Sequence, residues 1–72
     1  MEVNLRTLRE GRGWGLEDLT LVTGVSAAQL SRAERGLSHL SPEARIRIAR
    51  AFQLSPAQAR AVPELAPDPV LA

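Results

Sequence analysis

The chain contains no cysteine, no lysine and no tyrosine, and one residue each of histidine, tryptophan and phenylalanine. Without thiols it has neither a disulfide framework nor a thiolate metal site, and His39 alone assembles no metal centre. Catalytic machinery is missing as well: there is no paired histidine, no glycine-rich phosphate loop and no convergent set of carboxylates. No enzyme, no metal and no cofactor is expected. No apolar run approaches the ~20 residues that span a bilayer, and Glu2, Asn4 and Arg6 interrupt any leader-like segment, so a cytoplasmic protein without membrane contact is expected. At 72 residues there is room for one domain, and chains of this size bury only roughly 60% of their unfolded surface, so the core must be local and well packed.

What is present is arginine. The formal charge is only +1, yet all nine cations are arginines and none lies beyond Arg60, whereas Glu64 and Asp68 follow it. Residues 1–60 therefore set nine arginines against six acids. Such a balance suits contacts to phosphate and guanine, although a GC-rich coding sequence produces the same bias.

Glycine and proline divide the chain into five helical units. The first, Asn4 to Glu10, carries Leu5 and Leu8 on one face and stops at Gly11-Arg12-Gly13. The second, Leu16 to Thr23, has Glu17 and Asp18 in its first turn, where they meet the positive end of the helix dipole, and is expected to turn Leu19 and Val22 inward. After Gly24-Val25, Ser26 caps a third helix running to Arg35, with Leu30 and Ala33 buried and Gly36 as its stop. Ser41-Pro42-Glu43 starts a fourth that runs to Phe52, with Ile48, Ala51 and Phe52 as its apolar stripe. Ser55-Pro56 starts a short fifth helix that ends near Ala61. Pro63, Pro67 and Pro69 mark a change of composition, so residues 1–61 are expected to form the domain and 62–72 a proline-rich tail or linker.

Two short helices joined by a glycine turn, the second capped by serine, form the arrangement that presents a helix to the DNA major groove. The motif spans residues 16–36, and from Leu16 through Gly24 and Ser26 to Leu30, Arg32, Glu34 and Gly36 it closely resembles the lambda-repressor and Cro-type helix-turn-helix family. Leu5-Arg6-x-Leu8-Arg9 before it and Ile48-Ala49-Arg50-Ala51-Phe52 after it agree, so that residues 4–56 are covered. The resemblance implies an all-α, compact five-helix bundle that binds a double-stranded DNA operator, commonly as a homodimer. It places Ala27, Ala28 and Arg32 facing bases, Gln29, Ser31 and Arg35 near bases or phosphates, and His39 in a loop that often touches phosphate. It also implies an ion pair between Arg9 and Glu34 that is structural rather than a DNA contact.

Several positions depart from the family pattern. Leu16 stands where a glutamine often holds phosphate, and Gly15 where serine or threonine caps the second helix, which leaves the backbone amides there to receive a phosphate. Thr20 replaces an alanine at the close approach of the two helices, and Ala33 replaces a larger aliphatic residue. Arg45 falls on a leucine position, which puts the register of the fourth helix in question. Trp14 is expected to be a packing lid; of Leu37, Leu40 and Ile46, some are expected to close the bundle and the rest to support dimerisation. The functional expectation is a repressor-like transcriptional regulator of bacterial or phage type. The alternative is a module that uses the same scaffold to dock a protein, a reading favoured by Ala27, Ala28, Leu16 and the low net charge.

Overall fold

Among the described residues, four of the five α-helices start on a residue whose side chain accepts a hydrogen bond from the amide three positions on. Asn4 caps α1 (Leu5–Gly11), Ser26 caps α3 (Ala27–Glu34), Ser41 caps α4 (Pro42–Ala51) and Ser55 caps α5 (Pro56–Arg60). Each such bond satisfies an amide that the helix leaves open. The second helix, α2 (Leu16–Thr23), starts at Gly15, which has no side chain to offer. Asp18 compensates from within, its carboxylate accepting the Gly15 N–H at 2.8 Å. The computed structural model describes residues 3–66. Among them there is no strand, and no helix is long and apolar enough to cross a membrane.

Three helices close in the same manner, with a left-handed residue just past the cap and two backbone bonds reaching back over it. After α1 the residue is Gly13, with Trp14 N–H donating to Arg9 O; after α3 it is Gly36, with Leu37 N–H donating to Arg32 O. After α4 it is Gln53, at φ 56°, with Leu54 N–H donating to Ala49 O. A side chain in this region costs roughly 1–2 kcal/mol, of which glycine returns part as chain entropy. Gln53→Gly should therefore stabilise the domain by about 0.5–1 kcal/mol, raising Tm by several degrees in a thermal melt followed by circular dichroism.

The core is built from Leu5, Leu19, Val25, Leu30, Ala33, Leu40, Ala44, Ile48, Phe52, Val62 and Leu65. Two expectations change against it, and the division among Leu37, Leu40 and Ile46 is decided by it. In α2 the inward partner of Leu19 is Thr23, while Val22 is 53% exposed. The threonine is tolerated because its hydroxyl donates to Leu19 O at 2.7 Å and accepts from Val25 N–H at 3.1 Å. Leu40 is a core residue and no part of an open surface, whereas Leu37 and Ile46 stand exposed. Val62 and Leu65 are likewise core, on either side of a single 3₁₀ turn at Pro63–Leu65, so the bundle continues past the expected boundary at residue 61. The turn also brings Glu64 back to the start of α1, where its Oε1 accepts the Leu5 N–H at 2.9 Å. Pro67 and Pro69 lie outside the described residues.

The remaining departures find local solutions. Ala44, Ile48 and Phe52 point inward at intervals of four, and Arg45 keeps that register by turning its guanidinium back to donate to Leu40 O at 2.8 Å. Ala51 is half-buried at the edge of the stripe. Trp14 packs its ring on Phe52 with centroids 5.4 Å apart, and the Arg12 guanidinium lies 5.5 Å from both rings. The Thr20 hydroxyl is buried without a hydrogen-bond partner among the described residues.

Candidate nucleic-acid interface

The geometry of α2 and α3 is set at Gly24, Val25 and Ser26. Gly24 adopts φ 76° and donates its N–H to Thr20 O at 2.8 Å, ending α2. A β-carbon there is disfavoured by the backbone and would stand 3.1 Å from the Arg47 guanidinium. Val25 drops into the core, and Thr23, anchored at both ends of its hydroxyl, holds the turn from beneath. Ser26 then restarts the chain as helix, its Oγ accepting from Gln29 N–H at 3.1 Å. Nothing but the threonine beside the glycine hints at this brace in the sequence, and the expectation for α2 passed over it in favour of Val22.

With Leu30 and Ala33 buried, the opposite side of α3 faces outward. Ala28, Arg32 and Arg35 fall on it at intervals of four and three, with Gln29 beside Arg32, and all four are exposed. Ala27 and Ser31 are half-buried at its margins. His39 is exposed too, but it lies in the following loop, lining a separate cleft of about 180 Å³ with Arg45 and Glu64. The predicted residues thus divide into a contiguous helical face and one outlying loop residue.

The only acid on α3, Glu34, is removed from that face. Its carboxylate accepts from Arg9 Nε at 2.7 Å and from Arg9 Nη2 at 2.9 Å, and the two side chains retain only 6% and 11% of their exposure. Arg9 Nη1 donates to Trp14 O at 2.9 Å, tying the loop after α1 into the same arrangement. The hydrogen bond to Glu34 raises the Arg9 guanidinium above its ordinary range, against the opposing effect of burial. Glu34 is thereby neutralised on the inner side while Arg32 and Arg35, neither in an ion pair among the described residues, carry unopposed positive charge outward.

The start of α2 has the opposite character. Leu16 packs partly against the core and offers no polar group, Glu17 and Asp18 are exposed, and the Gly15 amide is taken by Asp18. One amide at the start of α2 is thus already occupied by a carboxylate. Among the described residues, no three histidine, aspartate or glutamate side chains converge as a metal ion requires.

A family model described as a helix-turn-helix domain matches residues 3–62. No curated protein and no solved structure matches the chain.

Proposed function

Because this chain belongs to the helix-turn-helix domain family, we propose that it is a sequence-specific DNA-binding transcriptional regulator of the repressor type, acting in the cytoplasm with α3 in the major groove. One observation carries the reading: the exposed face of α3 consists of Ala28, Gln29, Arg32 and Arg35, with the helix's single acid turned inward. Arg32, in the middle of the face, is the base reader, since a guanidinium spans O6 and N7 of guanine. Arg35, a turn further on, anchors a phosphate and sets register. Ala27 and Ala28 lie against thymine methyls, and Gln29, Ser31 and His39 add polar contacts at the margins. Exposed Leu37 and Ile46 support pairing of two copies on DNA.

Selection of bound duplexes from a random pool at two salt concentrations tests this. Enrichment of a palindrome with half-sites about 10 bp apart is expected of a dimeric operator binder. On the enriched duplex, Arg32→Ala should cost about 1–3 kcal/mol and flatten preference at one base pair, whereas Arg35→Ala should weaken every duplex alike. Equal losses from both variants on selected and random DNA would refute the division of roles. No enrichment, with binding that responds weakly to salt, would point to a protein partner instead.

A further inference from the structure

One cation beside the helix-turn-helix has no role in the account above. Arg47, in the second turn of α4, lays its guanidinium against the α2–α3 turn, with Nη1 3.1 Å from where a β-carbon on Gly24 would stand. The glycine that shapes the turn therefore also makes a seat for this arginine. Its Nη2 donates to Glu43 Oε1 at 2.7 Å, across one turn of α4, and both side chains are at least half exposed. Gly24, Gln29 and Ser41 join the pair in lining a shallow, mostly polar concavity of about 120 Å³. Gln29 belongs to the outward face of α3 as well, so concavity and face are continuous. Other arginines are committed to the fold: Arg45 to the Leu40 carbonyl, Arg9 to Glu34, Arg12 to two aromatic rings.

We propose that Arg47 contacts a backbone phosphate and that Glu43 restrains it, so that the pair sets the overall affinity for DNA without altering sequence preference. This rests on the DNA-binding reading. An exposed ion pair one turn apart on a helix is weak and screened, whereas a phosphate offers the guanidinium a charge-assisted, two-pronged contact. The exchange is favourable for Arg47, but it first requires release of the Glu43 bond, and that release is the restraint. Phosphates are alike along the duplex, so the effect is blind to sequence.

The test uses the full chain with Glu43→Gln, Arg47→Gln and the double variant, on the selected duplex and a random duplex of equal length, over a range of salt. Circular dichroism melts establish that these exposed substitutions leave the fold intact. Glu43→Gln should tighten binding to both duplexes by about three- to tenfold near 0.1 M salt, and Arg47→Gln should weaken both and make the log–log salt slope shallower by about one. In the double variant most of the gain should vanish, because it acts through Arg47. A gain that persists in the double variant, or an unchanged slope for Arg47→Gln, overturns the proposal. If Arg32→Ala still flattens base preference in that case, the proposal falls alone; if the unaltered chain binds neither duplex, the DNA-binding reading falls with it.

Discussion

Glu34→Ala should cost about 3–5 kcal/mol of stability, read as a loss of midpoint in denaturant unfolding. The size follows from burial. Arg9 and Glu34 are joined by two hydrogen bonds of 2.7 and 2.9 Å with little exposure of either side chain, so deleting the carboxylate strands a guanidinium away from water and counterion. A domain of this length has roughly 4–11 kcal/mol to lose, and a variant missing a large part of that is substantially unfolded in warm solution. The penalty belongs to the stranded charge more than to the lost attraction. Replacing both partners, as Arg9→Met with Glu34→Leu, should thus recover much of the loss, and a double variant as unstable as Glu34→Ala would refute the argument. The Arg9 pKa is raised on folding, so its contribution is complete below the unfolded value and declines only as pH rises through the folded one, far above neutrality. On account of this arginine, stability should not change with pH near neutrality.

A chain ending at Ala61 should fail to fold cooperatively. It lacks Val62 and Leu65, which are 2% and 5% exposed in the intact bundle, and it lacks the Glu64 carboxylate that accepts the Leu5 amide. Two buried aliphatic side chains contribute about 1.5–3 kcal/mol each, and their removal also opens the core they cover to water. Most of the stability available to so small a domain disappears with them. Circular dichroism should show shallow, non-cooperative melting for the truncated chain. In the full chain, Leu65→Ala alone should cost about 2–5 kcal/mol, separating the core contribution from that of Glu64. A truncated chain that melts like the intact one would restore the boundary to residue 61.

The helix starts were legible in the sequence because each is a local event: Ser26, Ser41 and Ser55 each cap an amide three residues away. The outward side of α3 was legible for the same reason, since Leu30 and Ala33 decide which positions remain outside. The Arg9–Glu34 pair spans 25 positions, and resemblance to a family suggested it where spacing alone does not. Thr23 was missed because an eight-residue helix barely separates a three-residue from a four-residue interval, and Val22 is the more apolar of the two. What rescues the threonine is hydrogen bonding, which hydropathy does not register. Val62 and Leu65 were hidden by the prolines around them. The seat of Arg47 on Gly24 joins residues 23 positions apart and emerges only when α4 is laid against the turn.

The packing of Trp14 against Phe52 and Arg12 has an optical consequence. With one tryptophan and no tyrosine in the chain, nearly all intrinsic emission comes from a single indole in a defined setting. The Trp14 carbonyl accepts from Arg9, so the backbone under that indole is held by the same guanidinium that holds Glu34. Its emission therefore serves as a built-in gauge of whether the first helix and the end of the third remain joined.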